Sequence, residues 1–496
     1  MRKLKLSKFT NAGLLCDFYK VSHREQYPKN TEVIYSTWTP RLSRIQGIDK
    51  VIHFGLQAFI LKYLIEYFDE QFFERSKFGV VVEYKRVLKH TLGIQNPETS
   101  HLEALHDLGY LPILINSVPE GTRVPIRTPA FTIENTKPEF FWLTNFLETL
   151  LSCEIWGPST SATISAKYRE ILDFWANKTS DTPDFVAFQG HDFSFRGMSS
   201  LESAQASGAG HLLSFSGTDT IPAINWLEYY YNANIEKELV GTSIPASEHS
   251  IMEAYGRNEY ESFKRIITEV YPSGFCSIVS DTWDLWNILT NTLPSLKSEI
   301  LARDGKVVIR PDSGDPVLII TGNPDGTSEP ERKGVVQLLW ETFGGTINSK
   351  GYKVLDSHIG TIYGDAITLE RADKISALLE DQGFASTNVV YGIGSYTYQY
   401  QTRDTFGFAL KTTYGVFGGE EKDLFKDPVT DSGKFKKSQL GRVYVRQDGT
   451  YLDGAEAKAA LQNDPKGNLL QPVFRDGKLL KAWTFQEVKN QVQARK

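Results

Sequence analysis

Four aspartates between residues 219 and 365 each close a short apolar run: Asp219 in HLLSFSGTD, Asp281 in CSIVSD, Asp312 in KVVIRPD and Asp365 in HIGTIYGD. Apolar runs of four to eight residues bounded by turn residues read as buried strands. Each carboxylate is therefore expected at the C-terminal end of a strand, the edge on which barrel enzymes build their sites. Taken singly, an aspartate there is best explained as the N-cap of the next helix. Four together need an opposing cation, whether magnesium, arginine or a sugar with developing positive charge.

Cations fall on the same edges. Arg196 follows HDFSF, and Arg310 ends the run KVVI beside Asp312. Each could be half of a loop-holding ion pair, or a bidentate clamp for phosphate. His249, in SIPASEHSIMEAYG, stands where a loop feeds a helix, beside Glu248 and Ser250. A lone histidine is more often a cap or surface residue, but here it is in reach of nucleophile or phosphate-contact work. His191 in QGHDFSFRG is a weaker candidate. Gly364-Asp365 opening a helix and Gly392-Ile393-Gly394-Ser395 after a strand expose backbone amides to anions. Neither the dinucleotide fingerprint nor the GxxxxGK[ST] loop is present, so those nucleotide-binding modes are disfavoured.

The elements that must position these residues alternate between strand-like and helical patterns from about residue 180 to 400. FVAFQGHDF precedes SSLESAQASGAG, and HLLSFSGTD precedes IPAINWLEYYYN. CSIVSD precedes TWDLWNILTNTL, HIGTIYGD precedes AITLERADKISALLEDQG, and NVVYGIGSY comes last. Repeated βα units imply a parallel sheet, and we expect it closed as a barrel. In the helix after HIGTIYGD, Leu369, Ala372, Ile375 and Leu379 mark a buried stripe. The polar stretch 321–334 reads as an exposed loop.

The flanking segments differ. VIYSTWTP and PILINSVPEGTRVPIRTPAFTIENT read as strands, and RVYVRQDGTYL and KLLKAWTF resume that pattern near the end. The expected organisation is an α/β barrel over 151–400 and a β-rich module built from 1–150 and 401–496.

Composition sets bounds on function. The 496 residues hold 54 basic and 60 acidic side chains, a net charge of −6, so no general basic field attracts nucleic acid. Three separated cysteines, Cys16, Cys153 and Cys276, support neither a zinc site nor a disulfide framework and point to a reducing, cytoplasmic location. The densest apolar window, 140–156, contains Thr144, Asn145, Glu148 and Glu154, which suits a buried helix and not a membrane span.

Nine segments in register resemble the nicotinamide phosphoribosyltransferase family: CDFYKVSHREQYP (16–28), GHDFSFRGMSS (190–200), SFSGTDT (214–220), SIPASEHS (243–250), VSDTWD (279–284), IRPDSGDP (309–316), YGD (363–365), TRD (402–404) and FKDP (425–428). The resemblance implies the irregular barrel of type II phosphoribosyltransferases. It also implies transfer of phosphoribose from phosphoribosyl pyrophosphate to nicotinamide, in NAD salvage. Nicotinate is the alternative base.

By the same resemblance, His249, Asp312 and Asp281 are catalytic, and Arg196, His249 and Arg310 bind diphosphate. Nicotinamide and its mononucleotide would be held by Tyr19, Phe193, Asp219, Arg310, Asp312, Gly364, Asp365, Ser395 and Arg403, with Tyr19 reaching in from a second subunit. Gly394, Lys411 and Lys434 are further phosphate contacts. Magnesium is expected, its ligands left open, and ATP is expected as a coupling co-substrate that phosphorylates His249, with Glu248 orienting its ring. A homodimer with shared active sites completes the expectation, with no nucleic-acid or membrane partner. An acidic Asp219 favours an amide donor over a carboxylate, hence nicotinamide over nicotinate.

Overall fold

The computed structural model describes residues 9–364, 366–430 and 437–494. Two compact units divide the chain: Met1–Thr163, Leu227–Asn232 and Gln401–Lys496 form the first, and Ile164–Trp226 with Ala233–Tyr400 the second. The division expected at residue 150 falls inside one continuous helix, Glu148–Thr179. The units part within that helix and not at a linker, which is why no change in composition marks the boundary.

In the second unit the apolar runs form six strands: β1 (Gly190–Asp192), β2 (Gly217–Thr218), β3 (Cys276–Val279), β4 (Val307–Arg310), β5 (Ile359–Tyr363) and β6 (Val389–Ile393). They pair in the order β2-β1-β6-β5-β4-β3, and every pairing is parallel. The curled sheet leaves β2 and β3 as edges, and one extended segment bonds to both. Gly217 bridges Thr242, and Ala246 bridges Ser277, each in parallel.

On the β2 side, Thr242 N donates to Ser216 O at 2.7 Å and Thr218 N to Thr242 O at 2.9 Å. On the β3 side, Ser277 N donates to Pro245 O at 2.8 Å and Ser247 N to Ser277 O at 2.9 Å. Residues 242–246 thus act as a seventh stave, and the staves follow one another around the barrel in chain order. Pro245 has no N–H to give a ladder. The Ser247 hydroxyl extends the pairing by accepting Val279 N at 3.0 Å.

Two expectations change. The run FVAFQ forms a helical turn, Val186–Gln189, before the three-residue strand β1; a short apolar run does not by itself distinguish helix from strand. Residues 321–334 are not one loop. Thr321 ends the helix Pro316–Thr321, and a capping box between Ser328 and Glu331 starts the next helix at Glu329. In the helix Leu369–Asp381, Ala372, Ile375 and Leu379 are buried as the stripe requires, while Leu369 is half-buried.

The first unit is built on a seven-stranded antiparallel sheet. Chain-distant segments meet in it: Thr31–Thr39 pairs with Ala409–Phe417 and with Phe131–Asn135, and Ile113–Ser117 pairs with Gln471–Arg475. Its core includes Trp38, stacked between Phe131 and Phe408 at centroid distances of 5.7 and 5.5 Å. Among the described residues no helix is long and apolar enough to cross a membrane.

Candidate active site

The C-terminal ends of the staves carry the chemistry. VSDTWD and IRPDSGDP each offer two aspartates, and the structure separates their roles. Asp284 caps its helix by accepting Trp286 N and Asn287 N at 3.0 and 3.1 Å. Asp315 does the same for Val317 N at 2.8 Å. Asp281 and Asp312, three residues earlier in each case, are thereby released from capping. Asp281 Oδ2 accepts Asp312 N at 2.8 Å and the Ser313 hydroxyl at 2.7 Å, while its buried Oδ1 accepts no hydrogen bond from the protein. An ideal Cβ on Gly364 would lie 2.6 Å from Asp312 Oδ1, so only glycine there lets the carboxylate cross the end of β5. Asp365 lies outside the described residues.

His249 opens the helix His249–Glu253. Its Nε2 stands 3.8 Å from Asp312 Oδ2 and 4.0 Å from Asp281 Oδ1. Nδ1 is 3.0 Å from the Thr282 hydroxyl. Glu248 does not orient the ring as expected, because its carboxylate accepts from the Ser250 hydroxyl. The Arg310 guanidinium donates through Nη2 to Ser247 O at 2.8 Å, and its buried Nε has no protein partner. Arg196 is exposed in the turn Phe195–Gly197 after β1.

Asp219 follows β2, where its backbone N donates to Asp192 O at 2.9 Å. His191 Nε2 donates to its carboxylate at 2.8 Å, and the Ser243 hydroxyl donates to the same oxygen at 2.7 Å. Burial pushes this carboxyl's pKa up, but the bonds from His191 and Ser243 and the Arg310 charge outweigh burial and hold it below its ordinary value. The Phe193 ring lies 4.7 Å from that of His191.

A cavity of 580 Å³ runs inside the barrel from His191, Phe193, Asp219 and Arg310 down to Lys306 at the start of β4. Ser277 lines it too, with a buried hydroxyl that has no protein partner. Gly394 and Ser395 follow β6, and Ser395 opens the short helix Ser395–Tyr398. Arg196, Asp219, His249, Asp281, Arg310, Asp312, Gly364, Gly394 and Ser395 therefore all belong to the strand-end edge of one unit.

Tyr19, Arg403 and Lys411 belong to the first unit. Tyr19 is 57% exposed, and with Arg403 it lines a 220 Å³ depression that also includes Asp17, Glu148 and Trp156. Lys411 lies 3.8 Å from Glu148. Burial lowers the pKa of its ammonium, Glu148 opposes that, and the charges of Arg41, Lys426 and Lys20 add to the lowering. Such a crowd of cations suits an anion. Lys434 lies outside the described residues.

Sequence reasoning missed Ser243, Ser247, Ser277, Thr282, Arg41 and Lys426. Lys426 in FKDP, Ser243 and Ser247 in SIPASEHS and Thr282 in VSDTWD all lie in motifs already in view, but nothing singled them out within those motifs. A serine or threonine acts through the partner it meets, and that partner is not fixed by spacing.

Residues 188–478 match the model of the nicotinate phosphoribosyltransferase (NAPRTase) family. Residues 11–85 match that of the nicotinamide phosphoribosyltransferase N-terminal domain. The chain is 51% identical over 490 residues to a nicotinamide phosphoribosyltransferase of Acinetobacter baylyi, with 96% of each covered. It is 36% identical over 453 residues to one of Mycoplasma pneumoniae, with 87% of this chain and 96% of that one covered. Among solved structures, a nicotinate-nucleotide pyrophosphorylase from Pyrococcus furiosus superposes with a TM-score of 0.57 at 14% identity, covering 99% of this chain and 97% of that one. Human nicotinic acid phosphoribosyltransferase gives 0.52 at 15% identity, covering 97% and 93%. At such identities these structural likenesses concern the fold alone.

Proposed function

The chain belongs to the nicotinamide phosphoribosyltransferase family, and we propose that it joins nicotinamide to phosphoribosyl pyrophosphate, giving nicotinamide mononucleotide and pyrophosphate. The observation that carries this choice of base is Asp219. Its carboxylate, held ionised by His191 and Ser243 beside an aromatic ring in the barrel cavity, accepts an amide N–H and repels the carboxylate of nicotinate.

In the reaction the pyridine nitrogen lone pair forms a bond to the anomeric carbon. The bond from that carbon to the diphosphate oxygen breaks, and the leaving diphosphate takes the electron pair. Positive charge develops on the ribose, which Asp312 and Asp281 face as carboxylates. Arg310, with a free donor at Nε, and Arg196 receive the diphosphate. Phe193 stacks on the base. Gly364, Gly394 and Ser395 serve the ribose and its 5′-phosphate, and Asp365 joins them in this reading.

Magnesium belongs to the proposal. Among the described residues no three His, Cys, Asp or Glu side chains gather to hold a metal. An ion bound by one or two carboxylates and by diphosphate oxygens does not require them. The buried Asp281 Oδ1 beside Asp312, which accepts no hydrogen bond from the protein, fits that donor set. When bound, the ion neutralises charge on the departing diphosphate.

His249, flanked by both carboxylates, is read as the residue through which ATP is coupled. Tyr19, Arg403, Lys411 and, in the same reading, Lys434 are contributed to a partner's site in a homodimer. Support comes from the exposure of Tyr19 and the cations around Lys411. Cys16, Cys153 and Cys276 form no disulfide, in keeping with a cytoplasmic setting.

The test is an assay of the purified protein with phosphoribosyl pyrophosphate and magnesium, on nicotinamide and on nicotinate, with and without ATP. The expected kcat/KM is far higher for nicotinamide, and ATP raises it. Equal or reversed base preference would overturn the assignment of the base.

A further inference from the structure

His249 has two ring nitrogens in chemically different surroundings. Nε2 looks toward Asp281 and Asp312 at 4.0 and 3.8 Å, beyond hydrogen-bonding distance. Nδ1 is 3.0 Å from Thr282 Oγ1. Of the nearby carboxylate oxygens, Asp281 Oδ2 is committed to Asp312 N and Ser313 and the Glu248 carboxylate to Ser250, while Asp281 Oδ1 and Asp312 Oδ2 are the oxygens that face Nε2. Thr282 is thus the partner at bonding distance for a ring that is 43% exposed. Without that bond only the longer-range attraction of Asp281 and Asp312 acts on the ring's last torsion.

Thr282 is itself held. It sits in the turn after β3, next to Trp283. The Trp283 indole N–H donates to Gly256 O at 2.7 Å, and the Arg257 guanidinium lies 4.9 Å from the centroid of its ring. Gly256 and Arg257 lie in the turn that follows the helix His249–Glu253. The turn at 280–284 and the segment 249–257 are therefore joined at two points, Thr282 to His249 and Trp283 to Gly256.

We propose that Thr282 is a positioning residue: its hydroxyl fixes the His249 ring through Nδ1 and presents Nε2 to the gap between Asp281 and Asp312. The inference rests on His249 as the phosphoryl-accepting histidine. In that step the Nε2 lone pair forms a bond to the γ-phosphorus of ATP. The bond from that phosphorus to the oxygen bridging to ADP breaks, and ADP leaves with the electron pair. The ring proton stays on Nδ1, which donates it in a hydrogen bond to Thr282 Oγ1. The threonine thereby selects the tautomer as well as the rotation, as an orienting group does for other nucleophilic or basic imidazoles.

The test compares Thr282→Val, which keeps the shape and removes the hydroxyl, with Thr282→Ser, which keeps the hydroxyl, in the full-length protein. One readout is acid-labile phosphate on His249 after incubation with ATP, together with the ratio of transferase rates with and without ATP. The other is the ¹⁵N spectrum of histidine-labelled protein, with the His249 signals assigned by their loss in His249→Gln. The expected result is a tenfold or greater slowing of phosphorylation and loss of the ATP-dependent gain in Thr282→Val, with Thr282→Ser near wild type. The spectrum should show the Nδ1–H tautomer in the wild type and a tautomer mixture in Thr282→Val.

Wild-type behaviour of Thr282→Val in both readouts would overturn the inference, as would Thr282→Ser behaving like Thr282→Val. Absence of His249 phosphate in the wild type would instead overturn the ATP reading. The spectrum would then still decide the positioning role.

Discussion

The side chain of Ser395 fills the space that any side chain on Gly197 would need: an ideal Cβ on Gly197 would lie 2.0 Å from Ser395 Oγ and 2.5 Å from its Cβ. Gly197 closes the turn that carries Arg196, and Ser395 opens the turn after β6. The turn that carries Arg196, proposed for diphosphate, and the turn of Ser395, proposed for the 5′-phosphate, are thus packed directly on each other. Gly197→Ala should separate them, at the roughly 1–3 kcal/mol typical of overpacking, and lower kcat/KM by about tenfold or more. Ser395→Gly in the same chain should recover most of the loss. Steady-state kinetics of the two single variants and the double variant check this, and a double variant no better than Gly197→Ala would show that the contact is not the cause.

Asp219 should govern the choice of base. Asp219→Asn replaces an anionic acceptor by a neutral one, and charged hydrogen bonds contribute about 1.5–3 kcal/mol. The nicotinamide-to-nicotinate ratio of kcat/KM should therefore fall by at least tenfold. In the wild type the Asp219 pKa lies below its ordinary 3.8, so its stabilising charge is complete above that value. It is lost only as pH falls through the lower, folded pKa. The base ratio should accordingly stay flat from pH 5 to 9, measured at saturating phosphoribosyl pyrophosphate.

Arg310 combines a bond to Ser247 O with an open Nε. Lysine cannot reproduce two donors in one plane. Arg310→Lys should reduce kcat/KM for phosphoribosyl pyrophosphate by roughly 10- to 100-fold, as expected for loss of about 1.4–2.8 kcal/mol, with little change in melting temperature.

Glu120 in the first unit gives a stability prediction. Its buried carboxylate accepts Gln57 N at 2.6 Å, Gly55 N at 3.1 Å and the Tyr231 hydroxyl at 2.6 Å. Burial nevertheless pushes its pKa from 4.5 up to about 7, against those bonds. Between these values the folded state holds a proton that the unfolded state has released, so stability falls as pH rises through the window. The span corresponds to roughly 3 kcal/mol. Urea unfolding at pH 5 and pH 8 should show wild type losing about that much relative to Glu120→Gln. An unchanged difference would reject the raised pKa.

The sequence was most legible where burial is complete. The runs behind β3, β4, β5 and β6 are apolar on both faces, and each forms a strand. The runs behind β1 and β2 misled, because FVAFQ and the end of Leu201–Leu212 satisfy a helix as readily as a strand. The stave at 242–246 has no apolar run and contains a proline, so it became visible only through its partners. Charged members of the site could be named because carboxylates and guanidinium groups are few at strand ends. The pairing of Asp284 and Asp315 with helix amides, which freed Asp281 and Asp312, needed coordinates, as did the partners of Ser243 and Thr282. Those roles depend on contacts 24 and 33 positions away.

That proline-containing stave also joins two parts of the proposed site. It is joined to its neighbours by single bridges at Gly217 and Ser277, yet Ser243 within it donates to Asp219, and Ser247 just beyond it accepts from Arg310. The segment with the sparsest pairing in the wall is therefore also the one that touches the proposed base subsite on one side and the proposed diphosphate subsite on the other. Under the proposed function, a molecule filling both subsites should brace the same segment from its two ends, with amide exchange at Thr218, Thr242 and Ser277 slowed more than in the remaining staves.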